Sequence, residues 1–248
     1  FDQVISLISF DFHLRALLFQ ELSRFETKLR TTVAYVGGQV DPLFHVSGNG
    51  LRPTEEGCLG DQSKGHAAWL DKYRNSVSNL SPEDLSRNFE FENTSEIPIW
   101  GAVELMDLGQ LSKLYRLTDQ FLSSKISAEF GCTPSILKSW TASINVLRNY
   151  VAHHGRIWNR RFTYPPKASS SFLPKELEHL RRVGDGINLL YPRLAVLRWL
   201  ERDDLHGFSF DEELRKVLSS LPVHERINLG SMGFPTDWHD TELWQLKN

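Results

Sequence analysis

The chain has 248 residues, 40% of them apolar, 11% aromatic and 24% charged, with a formal net charge of −3. This composition excludes disorder for most of the chain, because the aromatic residues supply ample core material. No apolar run approaches the ~18–20 residues of a membrane span, and Cys58 and Cys132 alone exclude a disulfide scaffold or a Cys-rich zinc site.

The length suits one large domain or two small ones. We read it as a single domain over 1–248, with no signal peptide and a cytoplasmic location as the default.

Residues 1–36 read as one long helix. Leu7, Leu14, Leu18, Leu22, Phe25, Leu29 and Val33 recur at helical spacing, and Gly37-Gly38 ends the run. Residues 37–67 are glycine-rich and are expected to form a long loop. A second helix is predicted over 66–79. Ser81-Pro82-Glu83-Asp84 carries a helix-start signature, with Ser81 as cap and Pro82 at the first helical position. Further helices are predicted from Pro98 to about Arg116, from Ser123 to Phe130, and over 134–160. Residues 175–203 read as helical, interrupted at Gly184–Gly186 and kinked at Pro192. Short helices at 211–220 and 237–246 close a C-terminal extension over 204–248. No strand pattern stands out. The fold class is all-α, a helical bundle with long connections.

The charge is unevenly spread. Between Glu129 and Glu176 there is no carboxylate, whereas Lys138, Arg148, Arg156, Arg160, Arg161, Lys167 and Lys175 contribute +7, leaving −10 for the rest. Such a basic window is a candidate surface for RNA.

On a wheel for 134–160, Leu137, Trp140, Ile144, Leu147, Val151 and Trp158 fall within about 80° of one another, as a core stripe. Asn145, Asn149, His153, Arg156 and Arg160 fall opposite. His154 projects beside Leu147 and Trp158, so it reads as a packed histidine and His153 as the reactive one. Imidazole can take a proton from a ribose 2′-OH and return one to a 5′-oxygen. Arginine can neutralise the charge that develops on phosphate. That chemistry needs neither metal nor cofactor, and no carboxylate cluster lies nearby in the sequence.

Arg148-Asn149-x3-His153 resembles the Arg-x4-His signature of HEPN ribonucleases. The longer string from Leu147 through His153-His154-Gly155-Arg156-Ile157-Trp158-Asn159-Arg160 resembles the core motif of the Abi-like (AbiD/AbiF) abortive-infection family. Phe10-Asp11-Phe12-His13-Leu14-Arg15 and Arg24-Phe25-Glu26-Thr27-Lys28-Leu29-Arg30 are similar to its first helix. Ile97-Pro98-Ile99-Trp100-Gly101-Ala102-Val103-Glu104, with Leu111-Ser112-Lys113-Leu114-Tyr115, is similar to its central helix. Gly233-Phe234-Pro235-Thr236-Asp237-Trp238, followed by Trp244, is similar to its C-terminal motif.

The resemblance implies a HEPN-type helical domain, with a further segment before Phe1. It implies a homodimer that pairs two motifs into one site, and metal-independent cleavage of RNA to 2′,3′-cyclic phosphate and 5′-hydroxyl ends. The motif is also similar to the nuclease domains of type VI CRISPR effectors. Anti-phage defence follows by resemblance, with a non-coding RNA antitoxin as a possible restraint in a toxin–antitoxin arrangement. Arg148 and His153 would be catalytic, with Asn149 orienting the imidazole or the phosphate.

Arg156, Asn159, Arg160 and Arg161 are the expected RNA contacts. Glu26 and Glu104, with His154, are the expected supporting residues: both glutamates lie on helices expected to pack near the motif helix, where either could hydrogen-bond Arg148 or a histidine and set its tautomer, with ordinary ion pairing as the alternative. Arg24 and Arg30 could extend the basic surface, and Tyr150 reads as a packing residue. Trp100, Trp140, Trp158, Trp199, Trp238 and Trp244 read as core. Asp203-Asp204 reads as a solvated helix end, and His206, His224 and His239 lie too far apart to suggest zinc. Two readings without cleavage stay open, an RNA-binding module and a helical dimerisation partner of another protein.

Overall fold

A computed structural model of the chain describes residues 1–52, 65–79, 96–169, 171–202 and 210–245. Cys58, the Ser81–Asp84 signature, Asp203-Asp204 and His206 lie outside the described residues. The described chain is all-α, with α1 (Asp2–Val40), α2 (Phe44–Ser47), α3 (His66–Ser78), α4 (Ile99–Ala102), α5 (Leu108–Leu117), α6 (Gln120–Glu129), α7 (Pro134–Ala152), α8 (Tyr191–Leu200) and α9 (Phe210–Ser219). Between them stand 3₁₀ turns, including Val103–Leu105, Lys175–Arg182 and Gly184–Asn188. No helix among the described residues is long and apolar enough to cross a membrane.

The chain forms two compact units, one from Phe1–Phe25 with Ser139–Asn248, the other from Glu26–Lys138.

In the second unit, α1 runs through Gly37-Gly38 to Val40 instead of stopping at 36. Gly37 is there for closeness of approach. A Cβ on it would lie 2.3 Å from Phe44 Cε1, and Phe44 is fully buried. Packing of that ring outweighs the ~1 kcal/mol per glycine that helix propensity would recover by ending the helix.

The predicted helix from Pro98 to Arg116 is instead broken at Met106, which is extended. Asp107 then starts α5 with a capping box, accepting from the Gln110 N–H while the Gln110 side chain accepts from the Asp107 N–H.

His45 is fully buried in the same unit, with the rings of Phe44, Trp69 and Tyr73 edge-on to it. Burial pushes its imidazole down to about 4. The unfolded chain therefore binds the proton more readily than the folded one, and stability falls as pH falls through the window from 6.5 to about 4. At pH 4.5 the loss attributable to this group is about 2–3 kcal/mol relative to pH 7. The expected outcome is that His45→Phe flattens the drop of the urea midpoint between these pH values by that amount. A drop unchanged by the substitution would count against it.

In the first unit, α8 is buried on every side, from Tyr191 to Leu200. Pro192 opens this helix instead of kinking it, because its missing N–H is unneeded in the first turn. Trp140 of α7 stacks edge-on to Trp199 at 5.5 Å and donates its indole N–H to the Lys167 carbonyl. Tyr191, Phe210, Phe234, Trp238 and Trp244 form a further aromatic core. The predicted helix 237–246 appears as two 3₁₀ turns, Trp238–Asp240 and Glu242–Gln245. Trp100 is half exposed, against the expectation of a core position.

Candidate functional site

The site is built at the C-terminal end of α7. Leu137, Trp140, Ile144, Leu147 and Val151 are buried, as the apolar stripe requires. Arg148 is half-buried, whereas Asn149 and His153 are exposed. The His153 N–H still bonds the Asn149 carbonyl at 3.0 Å. Arg148 and His153 therefore remain on one helical screw, about 140° apart around the axis and about 7.5 Å apart along it.

The helix does not run to 160. It ends at Ala152, and the wheel positions of His154 and everything after it lapse there. The His154 N–H bonds the Val151 carbonyl at 3.2 Å, and the Gly155 N–H bonds the Tyr150 carbonyl at 2.8 Å. This is the Schellman closure, with His154 in the left-handed position at φ 56°. A Cβ on Gly155 would lie 2.9 Å from Tyr150 Cδ1, so glycine is required there. His154 is thus exposed, and the packed histidine of the sequence reading is corrected. Ile157 takes the buried place instead, and Trp158 is half-buried.

His154→Gly is expected to stabilise the protein by about 1 kcal/mol, since glycine bears no Cβ penalty at positive φ. Thermal unfolding checks this. A lower melting point than wild type would show that the imidazole contributes contacts of its own.

The segment after α7 is held at several points. Asp11 of α1, 6% exposed, accepts from the N–H groups of Ile157 at 2.9 Å and Trp158 at 2.6 Å, and also pairs with Arg15. The Phe162 N–H bonds the Asn188 carbonyl, and the Lys167 N–H bonds Ser139 Oγ. Arg193, fully buried, donates to the carbonyls of Leu189, Thr163 and Tyr164. Burial lowers its guanidinium to about 10, and Phe162 lies 4.8 Å beneath it. Asp11 and Arg193 escaped the sequence reading. The available signal was an acid beside Phe10 within the apolar face of α1, and an arginine inside a wholly apolar run.

The expected RNA contacts separate into two kinds. Arg156, Asn159 and Arg161 are exposed. Arg160 is half-buried, bonds the Arg156 carbonyl at 2.6 Å and stacks 4.3 Å from the Tyr150 ring. Tyr150 packs edge-on to Phe162 at 5.5 Å, as a packing residue should. Lys138 belongs to the second unit, half-buried over the Tyr115 ring, with burial lowering its ammonium to about 8.

Glu26 pairs with Arg30 within α1 at 2.6 Å, and Arg30 also donates to the Met106 carbonyl. Arg24 pairs with the buried Glu21, so neither Arg24 nor Arg30 extends a free basic surface. Glu104 is exposed in the second unit.

A family model described as Abi-like protein matches residues 1–159. The chain belongs to the Abi-like family. Membership of this family suggests a role in abortive-infection defence. The Abi-like match takes in α1, α7 and the Arg148–His153 motif, and it stops within the segment that Asp11 holds. No curated protein and no solved structure matches the chain.

Proposed function

We propose that the chain is a metal-independent endoribonuclease of the HEPN kind, acting in abortive infection. The observation that carries this reading is the end of α7 in an Abi-like chain. His153 is exposed at the last helical turn, with Arg148 on the same screw and Asn149 between them.

In the proposed reaction His153 takes the proton of a ribose 2′-OH, and the resulting oxygen attacks the adjacent phosphorus. Arg148 neutralises the phosphate charge as it grows. An imidazolium then protonates the departing 5′-oxygen, leaving a 2′,3′-cyclic phosphate and a 5′-hydroxyl. Asn149 orients the phosphate, and Arg156, Asn159 and Arg161 contact the RNA backbone.

A second copy completes the site in this reading. Val4, Ile5, Ile8, Phe12 and Phe19 are exposed and fall within about 100° on the α1 wheel, opposite the buried Phe10, Leu14 and Leu17. A helix apolar on both faces calls for a partner on the open one. This stripe shares its helix with Asp11, which holds the segment after His153. A two-fold contact of the stripe with its own copy fits both facts. Ile8→Glu with Phe12→Glu is expected to give a monomer by light scattering and to abolish cleavage.

Purified protein freed of nucleic acid, incubated with total RNA in EDTA, tests the activity. Cleavage with 5′-hydroxyl ends by wild type, absent from Arg148→Ala and His153→Ala, is the expected result. RNA retention without cleavage would replace this reading with an RNA-binding module, for which the exposed Arg156 and Arg161 are the specific support.

A further inference from the structure

The second unit carries a groove that the proposed reaction does not use. Its cavity of about 470 Å³ lies between the last turns of α1 and the α4 segment. Ala34, Gly38 and Val103 form the apolar floor, Thr31 and Gln39 add a hydroxyl and an amide, and Tyr35, Trp100 and Glu104 are the aromatic and charged side chains. Tyr35 is 69% exposed and Trp100 50% exposed. Glu104 follows Trp100 by one turn and is exposed. No described residue forms an ion pair or hydrogen bond with its carboxylate.

Gly38 makes room for this arrangement. A Cβ there would touch Trp100 Cε3 and Cζ3 at 3.6 Å, so the indole ring lies directly over the helix backbone.

Two accessible aromatic side chains and one carboxylate around a small-residue lining have a definite chemical preference. Aromatic faces attract cations, and planar guanidinium stacks on them better than ammonium does. A carboxylate accepts two parallel N–H bonds from the same guanidinium. No Lys or Arg lines the groove, and Glu104 supplies its formal charge. A phosphate backbone is therefore repelled, which separates this groove from the basic segment after α7.

We propose that the groove is a recognition site for an arginine side chain presented by a partner protein. The guanidinium pairs with Glu104, its plane lies against Trp100 and Tyr35, and the aliphatic stem covers Ala34, Gly38 and Val103.

The test uses the full chain labelled with ¹⁵N, following the Trp100 indole N–H, assigned by its loss in Trp100→Phe. N-acetyl-arginine methylamide should shift this signal saturably at millimolar concentration. The neutral citrulline analogue of the same shape should bind about three- to fivefold more weakly. Glu104→Gln should reduce arginine affinity to the citrulline level, and a Gly/Ser nonapeptide with one central arginine should reproduce the arginine shift.

No shift up to 20 mM, equal binding of citrulline, or tighter binding of a uridine oligonucleotide that survives Glu104→Gln would each overturn the proposal. None of these readouts depends on RNA cleavage, and His153→Ala should leave all of them unchanged.

Discussion

Alanine at position 153 is expected to lower RNA cleavage by about 10²–10⁴-fold, the range supplied by one positioned acid–base group. The fold should not change measurably. His153 is exposed, and its place directly after α7 is secured by its backbone N–H on the Asn149 carbonyl, which alanine keeps. Surface changes of this type stay within about 0.5 kcal/mol. The informative pairing is single-turnover cleavage beside thermal unfolding. Lost cleavage with an unchanged melting point assigns chemistry to the imidazole. Wild-type cleavage by His153→Ala would remove His153 from the reaction and the proposed mechanism with it. Arg148→Ala should lose a comparable factor, though its half-buried stem makes a modest drop in melting point part of the expected result.

Asp11→Ala should have the largest effect on stability, about 3–4 kcal/mol. One buried carboxylate satisfies two backbone N–H groups that lie 146 and 147 residues away in the chain. Removing it leaves both donors without their acceptor at about 1–3 kcal/mol each, and it leaves Arg15 without this counter-charge. Asp11→Asn keeps one acceptor oxygen and should recover more than half of the loss. Urea unfolding of the two variants measures the difference. Activity adds a second readout, because the segment from Arg156 to Arg161 is held by those same bonds. Asp11→Ala should therefore lose cleavage at temperatures where it is still folded, whereas Asp11→Asn should retain most of it. Equal stability of Asp11→Ala and wild type would mean that the Ile157 and Trp158 N–H groups find other acceptors.

The boundaries of α3, α6 and α9 were legible to within a few residues because their signals are local. Asp119 caps α6, Gly131 closes the turn behind it at φ 69°, and the apolar spacing between them is helical. The capping box of α5 was equally local, in Asp107 and Gln110, but the helical spacing on either side of it suggested one continuous helix. Gly37 and Gly155 show why glycine alone misleads. The first lies inside a helix to admit Phe44, and the second lies at a helix end against Tyr150. Both serve a close approach, and the neighbour that demands it is visible only in three dimensions. The same holds for His154. Its wheel position was sound for a helix reaching 160, and it lost its meaning once the chain turned at Gly155.

The all-α class, the course of α1 as far as Gly37, and the position of the Arg148–Asn149–His153 motif at the end of α7 were determined by the sequence itself. They depend on residues within a few turns of one another, where helical periodicity and side-chain chemistry suffice. Tertiary structure alone decided that the chain turns at Gly155, that neither of the two adjacent histidines packs, and how the segment after them is held. The last of these rests on Asp11 and on Arg193, whose hydrogen bonds reach across 146 and 30 residues. A buried polar group must find its partner wherever the fold brings one within about 3 Å, and no spacing rule in a linear chain encodes that distance.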